Sequence, residues 1–362
     1  MNFTAILGIT TAILLYGLIC FYIGFNGWAW LSRFPRFVRF KYLYFGLIFF
    51  LAISMFAGRF IPIPFLSLIG GYWMVIIGYS LLLFPILNLI YFLNKKRGME
   101  WIGGGVLIFY AVIFIYGTFN AWSPVIRNYS VDIDKPYERD SLKLLMASDF
   151  HLGEIVDKDH LDRFIAISER VKPDMILIPG DLIDDYIEPY LEENMGESLK
   201  KLNAPLGVFA VLGNHDYYGG DKEKIVKEME KAGITVLEDE TITIRDQLTI
   251  AGRKDPTDRT RSPISSFLDN ADGSRPVIMM DHQPIDLEEA EQSGVDLLVS
   301  GHTHRGQVAP AQFITDMIYE NDYGFLQKGN MSSIVTSGFG TWGPALRIGT
   351  RSEAVLIHLH FN

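Results

Sequence analysis

The sequence predicts a two-part chain: an N-terminal four-helix transmembrane domain, residues 1–126, followed by a layered α/β domain, residues 127–362. Three observations predict it. Long uncharged apolar runs are confined to the first third of the chain, the sign of the charge reverses after them, and short strand-like runs then alternate with charged helix-like stretches. Of 32 Lys+Arg and 42 Asp+Glu, residues 1–126 hold eight basic residues and one acidic residue, Glu100, which leaves 24 basic and 41 acidic for the rest. So acidic a second domain disfavours nucleic acid as its partner, because nucleic-acid binding relies on basic surface.

A helix needs about 20 mostly apolar residues to cross the hydrocarbon. Phe3–Phe25 meets this without a charge, and it has no basic segment ahead of it, so it reads as a retained helix and not as a cleaved signal peptide. Tyr42–Gly58 is uncharged and slightly short, Leu66–Leu93 is uncharged with a kink expected at Pro85, and Trp101–Trp122 is uncharged and rich in Gly, Ile and Tyr. No span contains an ionisable group of the kind that lines ion pathways, so anchoring is the expected role. Arg33, Arg36, Arg39 and Lys41 follow the first helix and Lys95, Lys96 and Arg97 the third, whereas the intervening loop has Arg59 alone. Basic loops stay in the cytoplasm, which predicts a multi-pass plasma-membrane protein with its α/β domain on the outer side. Arg127, Lys135 and Arg139 soften that contrast. Trp28, Trp30, Trp73, Trp101 and Trp122 read as interface or packing residues, and Cys20, the single cysteine, lies in the first helix, so the second domain is expected to hold by its core alone.

Ser123–Asp140 reads as a linker plus a first edge element. Strands are expected at Leu142–Ala147, Met175–Ile178, Val208–Leu212, Leu248–Ala251, Val277–Met280 and Val295–Val299, with helices over Asp157–Arg170 and Asp221–Ala232. Runs apolar on both faces indicate a sheet covered on both sides. The chemistry sits in the segments just past the ends of these runs: Ser148-Asp149-Phe150-His151, Gly180-Asp181-Leu182-Ile183-Asp184, Gly213-Asn214-His215-Asp216, Asp281-His282-Gln283 and Ser300-Gly301-His302-Thr303-His304. Ligand sites of layered sheets lie beyond the carboxyl ends of the strands.

Each loop alone also reads as ordinary turn chemistry, and an isolated His-x-His as a solvated pair. Yet five of the eight histidines fall in these loops, each behind a strand-like run. In an extended strand end, His302 and His304 would aim both rings at one point, as a metal site needs. His160 in a helix, and His358 and His360 along a terminal strand, read as structural.

DFH, GDLID, GNHD, the histidine of DHQ and GHTH resemble, in order and spacing, the five blocks of the calcineurin-like metallophosphoesterase superfamily over residues 142–360. GHTHRGQ and SGFGTWGPALRIG resemble its branch of YkuE/YaeI-like membrane-associated phosphodiesterases, some relatives of which act on UDP-diacylglucosamine. The resemblance implies a layered β-sandwich flanked by helices and a site for two divalent metal ions. One would be held by Asp149, His151, Asp181 and His304, the other by Asp181, Asn214, His282 and His302, with Asp181 as the bridge. Oxygen and imidazole donors without thiolate suit Mn²⁺, Fe or Zn²⁺, with Mn²⁺ expected. The resemblance further implies hydrolysis by a hydroxide held between the metals, with His215 as the proton donor to the leaving oxygen and Asp184 as the carboxylate that orients it.

Two positions depart from the family. Asp185 stands where phosphoprotein phosphatases carry a phosphate-gripping Arg, which argues against a phosphoprotein substrate. Arg305 stands where the YkuE-like branch has Gly, and it reads equally as a solvated residue or as a phosphate contact. The expected substrate is a phosphodiester or pyrophosphate in a lipid or surface-glycan head group, since a shared bilayer concentrates enzyme and substrate. Membrane lipids are the other expected partner, and no protein partner is inferred. A sensor that binds a phosphorylated ligand without turnover, and a phosphodiesterase of soluble nucleotides, are the alternatives.

Overall fold

The computed structural model describes residues 3–60, 63–269 and 272–362. The chain divides into two compact units, Met1–Tyr116 with Gly343–Ala345, and Gly117–Trp342 with Leu346–Asn362.

The first unit is helical: α1 (Phe3–Leu31), the short α2 (Pro35–Val38), α3 (Lys41–Phe60), α4 (Pro64–Leu93) and α5 (Met99–Trp122), whose residues from Gly117 belong to the second unit. Among the described residues three helices are long and apolar enough to cross a membrane, Thr4–Leu31, Phe65–Leu93 and Met99–Trp122, and Lys41–Ala57 is a shorter apolar helix. Three of the four expected spans therefore reach full length, and the second is the short one. Helix α4 runs through Pro85 without ending there. A few polar side chains tie helices together, as expected where no water competes: Tyr16 Oη donates to Ala52 O at 2.7 Å and Asn88 Nδ2 to Tyr22 Oη at 3.0 Å. The side chain of Arg59 lies outside the described residues.

The second unit is built from β1 (Val125–Ile133), β2 (Ser141–Met146), β3 (Met175–Pro179), β4 (Val208–Val211), β5 (Thr235–Val236), β6 (Glu240–Ile244), β7 (Leu248–Gly252), β8 (Val277–Met280), β9 (Leu297–Ser300), β10 (Gly324–Lys328), β11 (Met331–Val335) and β12 (Glu353–Phe361). Its helices are α6 (Lys158–Val171), α7 (Glu188–Glu192), α8 (Met195–Leu199), α9 (His215–Tyr218), α10 (Lys222–Lys231), α11 (Ile264–Leu268), α12 (Leu287–Gln292) and α13 (Gln312–Ile318). One mixed sheet has the order β1-β12-β2-β3-β4-β5 and the other β10-β11-β9-β8-β7-β6. Strands β2 to β5 are parallel to one another, as are β7, β8, β9 and β11.

The period of two in side-chain direction sorts each strand between two cores. Leu142, Leu144 and Met146 of β2 join Ile278, Met280, Leu297 and Val299 in a core between the sheets. Leu145 and Ala147 point the other way and meet Phe164 of α6 and Met229 of α10. On the second sheet, Val277, Met279 and Leu298 pack on Ile264 of α11 and Leu287 of α12. Burying such a side chain stabilises the fold by about 1.5–3 kcal/mol, so both faces of these strands must be apolar, and no alternation shows in the sequence. Helix α6 starts where Asp157 caps it, the side chain accepting from His160 N at 3.1 Å. The edge element expected within Ser123–Asp140 is β1, paired in parallel with the terminal strand β12.

Candidate metal centre

Strands β2, β3 and β4 of one sheet and β8 and β9 of the other deliver their carboxyl ends to one place. The loops there turn sharply, with φ of 52° at Asp149, 48° at His151, 54° at Asp181, 69° at His302 and 47° at His304. Left-handed backbone at non-glycine residues costs on the order of 1–3 kcal/mol each and persists only where the surroundings impose it, typically at functional sites. Here the loops brace one another: Asp149 N donates to Gly180 O at 3.0 Å, His151 N to Asp181 O at 3.1 Å, and His302 N to Asp149 Oδ1 at 3.0 Å. Glycines permit the approach. A Cβ at Gly301 would overlap the Ser148 hydroxyl and the Asp149 carboxylate, and one at Gly213 would overlap Asp181.

This geometry corrects the reading of the His-x-His pair. Because His302 and His304 are left-handed and not extended, their rings diverge. His304 Nε2 lies 3.1 Å from His151 Nε2 and 3.4 Å from Asp149 Oδ1. His302 Nδ1 lies 2.9 Å from Asn214 Oδ1, which is itself 3.2 Å from His282 Nε2. Asp181 reaches both sets through one oxygen, Oδ2 being 3.1 Å from His282 Nε2 and 3.7 Å from His151 Nε2. Asp149, His151 and His304 offer ligand atoms within 4.8 Å of one another, and so do Asp149, Asp181 and His282. The structure thus brings together all seven residues singled out as metal ligands.

The electrostatics follow from burial and neighbours. Burial pushes the Asp149 carboxyl up. Burial acts the same way on Asp181, but the His282 imidazole beside it outweighs this and holds Asp181 below the usual carboxylate range. Burial pulls His282 down, yet the Asp181 carboxylate lifts it well above the ordinary imidazole value. His151 is raised in the same way, against its burial, by Asp184 and Asp181. Burial leaves His302 at about 4 and His304 well below the ordinary range. His282 Nδ1 is 2.9 Å from Pro179 O, so that nitrogen donates to the carbonyl and Nε2 is the nitrogen directed at the cluster.

His215 stands beside this set, its ring centroid 4.7 Å from that of His151, and it also comes within 4.8 Å ligand range of His151 and Asp181. Its carboxylate partner is not the one expected. Asp185 Oδ1 is 2.6 Å from His215 Nδ1, whereas Asp184 Oδ1 is 3.6 Å away and sits 3.5 Å from His151 Nδ1. The left-handed turn at Asp185, φ 61°, brings the second carboxylate of the pair under the ring. Arg305 lays its guanidinium over the Tyr323 ring at 4.4 Å.

Three supports were not apparent in the sequence. Asp216, fully buried and pushed up to about 6 by that burial, accepts from the backbone N of Asp181, Ile183 and Gly213 at 2.9–3.0 Å, and so ties two ligand loops together. Arg347, also fully buried, donates to Gly338 O and Gly340 O and approaches His304 Nδ1 at 3.3 Å. Asp281 lies under Arg261 at 2.8 Å and Arg253 at 3.4 Å, which braces the His282 loop. A buried carboxylate after GNH carries a weak signal in the motif, and a buried arginine in a glycine-rich stretch carries none. His160 is a core residue, bonded to Phe339 O at 2.9 Å, and His358 and His360 lie in β12.

The donor set fits divalent cations. Facing ring nitrogens at 3.1 Å, with carboxylates and an amide oxygen beside them, form an array of lone pairs that a cation satisfies. Residues 142–306 match the calcineurin-like phosphoesterase family, which uses a dinuclear divalent metal centre. An uncharacterized metallophosphoesterase of Aquifex aeolicus is 34% identical over 64% of this chain and 90% of its own length. A transmembrane protein with metallophosphoesterase domain from Danio rerio is 30% identical over 70% of this chain and 61% of its own length. The uncharacterized metallophosphoesterase YkuE of Bacillus subtilis is 28% identical over 62% and 81%. Such similarity, spread across the unit that carries these converging loops, places the chain among the calcineurin-like phosphoesterases, metal-dependent hydrolases of phosphoric esters.

Proposed function

We propose that the protein is a membrane-anchored phosphodiesterase or pyrophosphatase acting on a lipid or surface-glycan head group at the outer face of the plasma membrane, with four spans and two metal ions, Mn²⁺ by preference. Asp149, His151, Asp181 and His304 would hold one ion and Asp181, Asn214, His282 and His302 the other. Bound divalent cations acidify water and draw charge from phosphoryl oxygens. The chain's own residues would orient the ester and supply the proton the leaving oxygen needs. His215 is suited to that last task, because its Nδ1 is committed to Asp185 at 2.6 Å and Nε2 is the nitrogen left to deliver a proton. Arg305 would add a phosphate contact. The observation that carries the reading is Asp181 Oδ2 within reach of both His282 and His151, the position a bridging carboxylate needs.

Turnover of bis(p-nitrophenyl) phosphate with Mn²⁺ tests the hydrolase reading against a ligand sensor, which would bind and not turn over. Metal analysis coupled to a screen of phosphodiesters, nucleotide-sugar lipids and phosphomonoesters tests the substrate class. A preference for soluble nucleotides would overturn the head-group assignment.

A further inference from the structure

Helix α13, directly after the metal-loop segment His302–Gln307, turns its apolar side outward. Phe313, Ile314, Met317 and Ile318 are exposed, Phe313 at 73% and Met317 at 77%, and the helix has no buried residue. Of its polar positions Gln312 and Thr315 face the protein, and Asp316, next to Gln312 on the helical wheel, is exposed at the margin of the apolar side. Gln312 Nε2 donates to Ile348 O at 3.0 Å and Thr315 Oγ1 to the Asp322 carboxylate at 2.7 Å. Tyr319, one residue beyond, sets its ring 6.0 Å from that of His302. At helical spacing 312, 315 and 319 share one side, and 313, 314, 317 and 318 the other. This is the inverse of a water-facing helix, and an exposed apolar patch of this kind marks an interaction surface.

The continuity of the chain indicates what covers it. Helix α5, a candidate span, ends at Trp122, and its last residues from Gly117 belong to the catalytic unit. Arg347 N donates to Gly117 O at 2.9 Å and Ser352 N to Asn120 O at 3.0 Å, and a side chain at Gly117 would touch Ile348. Ile348 is the residue whose carbonyl receives Gln312, so one residue stands between the end of a membrane helix and the start of α13. A second exposed aromatic, Trp342, is tied through its backbone to Gln307 at 2.9 and 3.1 Å, and its ring centroid lies 5.9 Å from that of His215. Tryptophan favours the boundary between lipid and water.

We infer that α13 and Trp342 lie in the headgroup layer of the bilayer that holds α5, with the apolar side of α13 against the acyl chains, and that the metal loop thereby receives a phosphate carried by a membrane lipid. The substrate half of this rests on the phosphoesterase reading above, and the seating half does not. The surface works as an interfacial amphipathic helix does, by burying its apolar side at the level of the head groups.

The test uses the full chain in phosphatidylcholine–phosphatidylglycerol vesicles, in a Cys20→Ser background, with bimane on Met317→Cys and, as a control, on Lys201→Cys at an exposed polar site. Lipids brominated near the top of the acyl chain should quench position 317 severalfold more than position 201, and equal quenching overturns the seating. Phe313→Ser with Met317→Ser should lower turnover of a vesicle-borne phosphodiester relative to bis(p-nitrophenyl) phosphate by about tenfold, a difference of about 1.4 kcal/mol. An unchanged ratio overturns the substrate half. Strong quenching in a protein that hydrolyses no phosphodiester refutes the hydrolase reading and supports the seating.

Discussion

Asp185 Oδ1 lies 2.6 Å from His215 Nδ1, a full ångström closer than Asp184 Oδ1 to the same nitrogen. The pairing divides the work of two adjacent carboxylates: Asp185 holds the ring proposed to donate a proton, and Asp184 faces His151. His215→Ala should therefore lose roughly 10²–10⁴-fold in rate on an alkyl phosphodiester while keeping its metals, and lose less on a p-nitrophenyl ester, whose leaving group needs little help. Asp185→Asn should follow the same pattern more weakly, and Asp184→Asn should alter metal content before it alters leaving-group dependence. A variant of His215 that loses one metal would make the ring a ligand and withdraw the donor role.

Asp181→Asn removes the oxygen shared between His151 and His282. Activity should fall below detection and the content of both metals should drop, as read by elemental analysis of the purified protein. Two metals per chain at full turnover would show that no bridge passes through this carboxylate.

How much of this was legible in the sequence depended on how local the cause is. Strand β8 matches its apolar run Val277–Met280 residue for residue, and β2, β3 and β4 match theirs to within one, because burial on both faces leaves a run that polar turn residues interrupt. Strands β6 and β10, at sheet edges, mix exposed with half-buried positions and leave no such run. The seven donors were visible as residue types behind strand ends. Which carboxylate meets His215 was not, since Asp184 and Asp185 are chemically the same and only the left-handed φ at Asp185 separates them. The divergence of His302 and His304 was hidden for the same reason. Arg347 was hidden because its partners are backbone carbonyls at 338 and 340, brought near by the fold and not by any motif.

Asp216 is the single acceptor for three buried amides, those of Asp181, Ile183 and Gly213. Asp216→Ala leaves all three without a partner, at about 1–3 kcal/mol for each unsatisfied group, so the variant should unfold several degrees earlier in a thermal scan of the detergent-solubilised protein. Asp216→Asn keeps one carbonyl acceptor and should fall between. Equal stability of the Ala variant and the parent would mean that other acceptors replace the carboxylate.

Metal uptake should release protons. Asp181 and Asp184 hold His282 and His151 above their ordinary values, so both imidazoles favour the protonated state before a cation arrives, whereas burial lowers His302 to about 4 and holds His304 well below the ordinary range. A cation must displace the protons from the first pair. Apparent affinity should then weaken as pH falls, by about tenfold per pH unit for each proton displaced, and adding Mn²⁺ to weakly buffered apoprotein at neutral pH should acidify the solution. Affinity that is flat between about pH 6 and 8 would contradict those protonation states.

The basic loops predict the side of the membrane. Arg33, Arg36, Arg39 and Lys41 lie between α1 and α3, and Lys95, Lys96 and Arg97 between α4 and α5. If both loops are cytoplasmic and α3 spans despite its shorter apolar stretch, α5 emerges on the outer side and carries the catalytic unit with it. Cysteines placed at exposed positions such as Lys201 should then react with an impermeant maleimide in intact spheroplasts, with native Cys20 silent because it is buried in α1. Should α3 not span, the number of crossings becomes odd and, with the N-terminus outside, the catalytic unit falls on the cytoplasmic side. The same experiment therefore decides the span count together with the orientation: labelling only after lysis removes α3 from the membrane-crossing set or reverses the chain, and a cysteine at Asn2 distinguishes the two, reacting from outside in the first case and only after lysis in the second.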